Sequence, residues 1–184
     1  MISHADASIV LRIADDGWAD GVTRAPSPNC DERPPDTAVE LVVVHNISLP
    51  PNEFGGTGIM DLFLNRLDVS AHPYYAGIAQ LRVSAHFLVR RDGEIIQFVS
   101  CQRRAWHAGV SNWRGREQCN DFSVGIELEG ADHMPFESVQ YQHLNALLTA
   151  LRERYPIVAV TGHSDVAPGR KTDPGLAFEW RLVK

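Results

Sequence analysis

Apolar residues along the chain fall into runs of two different periods. Leu41, Val42, Val43 and Val44 are an unbroken apolar run rich in β-branched side chains, which predicts a buried strand over 39–44. Alternation takes over at 83–89, with Val83, Ala85, Phe87 and Val89 on one face, and an apolar return follows at 95–98. Between them Arg91-Asp92-Gly93-Glu94 carries the Asp-Gly signal of a hairpin turn. A further alternating stretch, 123–130, puts Val124, Ile126 and Leu128 on one face and Ser123, Gly125, Glu127 and Glu129 on the other. Helical spacing marks Ile59, Leu62, Phe63 and Leu67, predicting a short helix over 58–67. The same spacing marks Leu144, Leu147, Leu148 and Leu151, predicting a long helix over 137–155 that Pro156 ends. A short apolar strand over 157–160 follows. Residues 1–24 show no period and lead into Pro26, Pro28, Pro34 and Pro35, so an irregular arm over the domain surface is expected.

Composition narrows the partners. At 184 residues, 44% hydrophobic and 22% charged, the chain fits one globular domain. A net charge of −6 gives no electrostatic reason to expect nucleic acid or an anionic membrane as partner. Cys30, Cys101 and Cys119 are odd in number and widely spaced, unlike a disulfide framework or a thiolate metal site, which favours a reducing compartment. The N-terminal stretch lacks the features of a signal peptide and no 18-residue apolar segment occurs, so a soluble cytoplasmic protein is expected.

The chemistry concentrates in 161–175, Thr-Gly-His-Ser-Asp-Val-Ala-Pro-Gly-Arg-Lys-Thr-Asp-Pro-Gly. An imidazole, His163, and a carboxylate, Asp173, share a loop punctuated by Gly and Pro. Both suit Zn²⁺, and a catalytic zinc takes three protein ligands and leaves a fourth position to water. The best third candidate is His45, delivered by the buried apolar strand. Lys171 lies two residues before Asp173, so an extended segment puts both side chains on one side, where an ammonium can stabilise a developing oxyanion. Activating water also needs a proton acceptor. Glu127 and Glu129 share a face, and alternation alone does not choose between them; the more central position of Glu127, next but one to Gly125, favours it. His86, inside a predicted strand, reads as a hydrogen-bonded structural histidine. Trp106 and His107 read either as part of a loop over a ligand cleft or as surface packing.

Five stretches together carry a resemblance: 43–50 (Val-Val-His-Asn-Ile-Ser-Leu-Pro), 83–87 (Val-Ser-Ala-His-Phe), 104–109 (Arg-Ala-Trp-His-Ala-Gly), 124–130 (Val-Gly-Ile-Glu-Leu-Glu-Gly) and 161–175. In this order, over about residues 17–178, they resemble the AmpD-type cytoplasmic anhydro-N-acetylmuramoyl-L-alanine amidases of the zinc amidase and peptidoglycan-recognition superfamily. The resemblance implies a single α/β domain spanning 1–184, with a mixed central β-sheet flanked by helices, a catalytic core of about 24–180 and an N-terminal arm of 1–23. It implies one Zn²⁺ held by His45, His163 and Asp173, with Glu127 as proton acceptor and Lys171 as transition-state stabiliser. Asn46 and Arg82, and with them Trp106 and His107, are then expected to meet substrate. The expected activity is hydrolysis of the amide between the lactyl group of anhydro-N-acetylmuramic acid and L-alanine, on small soluble muropeptides, by a monomer engaged in cell-wall recycling. The competing class is a muropeptide-binding module without catalysis. Retention of all three ligand types together with Glu127 and Lys171 speaks against it. A purely structural zinc is disfavoured because such sites are closed by four ligands, mostly cysteine.

Overall fold

A six-stranded mixed sheet forms the centre of the molecule, in a computed structural model that describes residues 9–184. In chain order the elements are β1 (Thr23–Arg24), β2 (Cys30–Glu32), β3 (Leu41–Ile47), α1 (Gly58–Phe63), β4 (Phe87–Val89), β5 (Ile95–Gln97), β6 (Arg103–Ala105), β7 (Asn112–Trp113), β8 (Arg116–Glu117), β9 (Ser123–Glu129), α2 (Ser138–Arg154), β10 (Ala159–Gly162) and α3 (His163–Val166). The sheet order is β1-β5-β4-β9-β3-β10, with β4 and β5 antiparallel and the other neighbours parallel. The pairs β2 with β6 and β7 with β8 form two small antiparallel ribbons beside it.

Both faces of the sheet are covered, as its parallel centre requires. On one side Val42, Val44, Val124, Ile126, Leu128, Phe87 and Val89 pack with Leu144, Leu147, Leu148 and Leu151 of α2. Buried Gln140 at the start of α2 donates to the carbonyls of Val89 and Glu129, fixing the helix against the ends of β4 and β9. On the other side Leu88, Ile96 and Phe98 pack with Ile59, Leu62 and Phe63 of α1, while Leu41 and Val43 pack with Ala108, Phe122 and Val166.

Several element bounds differ from the sequence reading, each for a local reason. The strand expected over 83–89 is regular only at Phe87–Val89. Before it the backbone turns to other partners, Ser84 N donating to Trp106 O, and Val83 and Ala85 pack with the α1 cluster instead of with Phe87 and Val89. The helix expected over 58–67 ends at Phe63, with Asn65 left-handed at φ 57°. The last strand is displaced to Ala159–Gly162 because its register with β3 begins at Ala159 and Leu41, leaving Val158 exposed. The arm is irregular over most of its described length, yet Ile13 and Ala19 are buried in the core and Thr23 opens β1 at the sheet edge. The first eight residues of that arm lie outside the described residues. The three cysteines are free thiols.

Candidate active site

Parallel register assembles the site. His45 of β3 pairs with Glu127 of β9, and Gly162 of β10 pairs with Val44, so the next residue, His163, comes alongside His45. The chain then loops back to bring Asp173 beside both, its carbonyl accepting from Ser164 N at 2.9 Å. His45 Nδ1 lies 2.9 Å from His163 Nδ1, and Asp173 Oδ2 lies 3.1 Å and 3.0 Å from the two nitrogens. His45 and His163 are buried and Asp173 nearly so.

The geometry of this donor set suits Zn²⁺. His163 Nε2 is 3.1 Å from the carbonyl of Ala108, which can only accept, so Nε2 carries a proton and Nδ1 is the nitrogen turned towards the centre. Asp173 Oδ2 lies 3.0 Å from that nitrogen, close enough for one cation to take both atoms as ligands. Burial pulls His45 down to about 4, against the opposing pull of Asp173, so its ring is neutral at pH 7. The 2.9–3.1 Å edges of the triangle fall a little short of the roughly 3.3 Å set by a tetrahedral zinc with bonds of about 2.0–2.1 Å. Two imidazoles and one carboxylate therefore fit a catalytic zinc.

These groups open into a cleft of about 270 Å³ that also contains Glu127 and Lys171. Glu127 is half-buried, and its Oε2 is shielded from solvent without a hydrogen-bond partner. Burial pushes its carboxyl well above the ordinary range; Asp173 adds to the shift and Lys171 opposes it. Lys171 is exposed and takes part in no ion pair among the described residues. Glu129 has a different environment: it is 2% exposed, accepts from Gly55 N at 2.7 Å and Arg91 N at 3.1 Å, and braces two loops.

The other sequence candidates divide. Asn46 and Trp106 line the cleft, although the Asn46 amide is engaged by Asp132 Oδ1 at 2.7 Å and Pro174 O at 3.0 Å. His107 also lines it, with Nδ1 2.9 Å from His45 Nε2. Arg82 is not among the lining residues; it is exposed and donates to the carbonyls of Ala79 and Leu81. His86 is structural: its Nδ1 accepts from Gly125 N at 3.0 Å and its Nε2 donates to Arg103 O at 3.0 Å. Arg33 and Asn120 carried no sequence signal. Asn120 Oδ1 accepts from His107 N and Ala108 N at 3.2 Å and 2.8 Å, and the Arg33 guanidinium holds the turn that presents it, bonding to the carbonyls of Asn120 and Asp121.

A family profile described as N-acetylmuramoyl-L-alanine amidase matches residues 35–176. The chain belongs to that amidase family. All five residues around the cleft centre fall inside the match. The chain is 58% identical over 170 residues to the 1,6-anhydro-N-acetylmuramyl-L-alanine amidase AmpD of Citrobacter freundii, covering 91% of each. A crystal structure of a selenomethionine derivative of AmpD superposes with a TM-score of 0.89 at 57% identity, covering 92% of this chain and 98% of that one. A more distant structure, AmpDh3 of Pseudomonas aeruginosa in complex with anhydromuramic pentapeptide, gives a TM-score of 0.56 at 29% identity, covering 80% of this chain and 60% of the other. The mixed central sheet flanked by helices expected of the amidase fold is the one observed.

Proposed function

We propose that this amidase cleaves the amide between the lactyl group of anhydro-N-acetylmuramic acid and L-alanine in soluble muropeptides, with one Zn²⁺ held by His45, His163 and Asp173. The observation that carries the reading is the convergence of those three side chains beside an unpartnered Glu127 carboxylate in one cleft. A zinc ion bound there would polarise the scissile carbonyl and acidify water. Glu127 accepts the proton of the attacking water, its raised basicity suiting that task, and returns it to the alanine nitrogen as the C–N bond breaks. Lys171 lends its ammonium to the oxygen on which charge develops. Recycling of wall fragments in the cytoplasm by a monomer is the setting we assign; the relative's name supports an anhydromuramyl substrate. No helix among the described residues is long and apolar enough to cross a membrane. The test is to strip metal with a chelator, verify its removal by elemental analysis, and follow release of peptide from anhydro-N-acetylmuramoyl-tripeptide. Activity should vanish and return with stoichiometric Zn²⁺; an undiminished rate in metal-free protein rules the proposal out.

A further inference from the structure

A series of hydrogen bonds runs from a backbone carbonyl to the ring of His45, and its direction is fixed at the start. Ser123 Oγ lies 2.5 Å from Cys119 O, and because a carbonyl only accepts, the hydroxyl proton is committed there. Ser123 Oγ also lies 3.2 Å from His107 Nε2, and with its own proton engaged it can only accept, so His107 is protonated at Nε2. That leaves His107 Nδ1 as an acceptor 2.9 Å from His45 Nε2, which must donate. His45 Nδ1 is then a lone pair pointing at the space shared with His163 Nδ1 and Asp173 Oδ2.

We infer that His107 and Ser123 are positioning residues that set the tautomer and ring orientation of His45 for Zn²⁺. Neither touches the reacting atoms. Both ring nitrogens of His107 are occupied in this series, so although the residue borders the cleft it has none left for substrate. Its place is tightly defined, because a Cβ on Gly125 would stand 2.5 Å from His107 Cγ, and the Asn120 side chain holds the backbone N–H groups of His107 and Ala108. His163 is anchored in parallel fashion by a single bond from Nε2 to Ala108 O. The two imidazole ligands thus present the same nitrogen, one held directly by the main chain and the other through two side chains.

The inference rests on the zinc reading, and the test separates the two. Zn²⁺ dissociation constants are measured by chelator competition for the full chain and for His107→Phe, His107→Asn and Ser123→Ala. His107→Phe keeps the ring volume and loses the acceptor; His107→Asn can place Oδ1 near the former Nδ1. Loss of such an outer partner should weaken zinc binding about 10- to 100-fold in His107→Phe, with His107→Asn recovering most of it and Ser123→Ala falling between. On the zinc-loaded wild type, ¹⁵N–¹H spectra of histidine-labelled protein should show His45 and His107 both protonated at Nε2. Wild-type protein that binds no zinc overturns the metal reading itself. Tight binding by wild type and His107→Phe alike, binding weaker in His107→Asn than in His107→Phe, or His107 protonated at Nδ1 overturns the positioning role alone. The spectra need no variant, so a His107→Phe chain that fails to fold leaves the test intact.

Discussion

Arg33 offers the sharpest check on how the site is supported, because its guanidinium is bonded to four main-chain carbonyls. Nη1 donates to Asn120 O at 3.0 Å and Asp121 O at 2.8 Å, Nη2 to Ser123 O at 2.9 Å, and Nε and Nη2 reach Cys101 O at 3.3 Å and 3.2 Å. Burial lowers its pKa to about 10, which leaves it charged at pH 7. In Arg33→Met the four acceptors lose this donor. Hydrogen bonds to a charged group contribute about 1.5–3 kcal/mol each, but relief of a partly desolvated charge and access of water offset much of that sum. We therefore expect a net loss of about 3 kcal/mol, which at about 2–4 °C per kcal/mol for a chain of this size lowers Tm by roughly 6–12 °C. Arg33→Lys keeps the charge but places three donors at one point, which cannot span the carbonyls a planar fork reaches, so its loss should be about half as large. Circular dichroism melts at one scan rate, with and without saturating Zn²⁺, give the comparison. The Met variant should also bind zinc more weakly, since the turn it frees presents Asn120 to His107 and Ala108. A Met variant melting within about 2 °C of wild type would refute the reasoning, as would a Lys variant less stable than Met.

Glu127→Gln should lower turnover by about 10²–10⁴-fold, the range of general acid–base catalysis, with zinc still bound. Glu129→Gln should instead lose about 1–2 kcal/mol of stability, because one of the amides of Gly55 and Arg91 then faces an NH₂ group. A larger loss of turnover at Glu129 would reverse the assignment. Because burial raises the Glu127 carboxyl, its basic form is present only above that raised pKa, so kcat/KM should fall as pH drops through a limb lying above the ordinary carboxylate range. A limb unchanged in the residual activity of Glu127→Gln would assign it to another group. Gly125→Ala should destabilise by about 1–3 kcal/mol and weaken zinc binding together, since its Cβ would meet His107 at 2.5 Å; wild-type values for both would show that the ring can shift freely.

Much of the sheet was legible in the chain because its central strands announce themselves by composition. The run Leu41 to Val44 and the alternation of Val124, Ile126 and Leu128 report burial on their own, since an apolar face must go inward wherever the strand is placed. The leucine stripe of α2 did the same. Sequence also offered His163, Asp173 and Lys171 on one loop, and His45 at the end of an apolar run, as residue types suited to a metal and an oxyanion. Which carboxylate belongs to the cleft was not legible in this way. Glu127 and Glu129 have the same face and nearly the same neighbours in sequence, and they diverge only because the loops around Gly55 and Arg91 close over one and leave the other beside Asp173. The register that pairs His45 with Glu127 and carries His163 next to His45 is likewise a property of three strands brought together from distant parts of the chain. Ser123, Asn120 and Arg33 mean nothing singly, and His107 read only as a residue near a cleft, for a hydrogen bond has a direction and a partner, and neither is written at one position. Hydrophobic burial leaves a periodic mark on a local stretch of chain, whereas the donor–acceptor order that aims His45 at a metal exists only once separated segments are in contact.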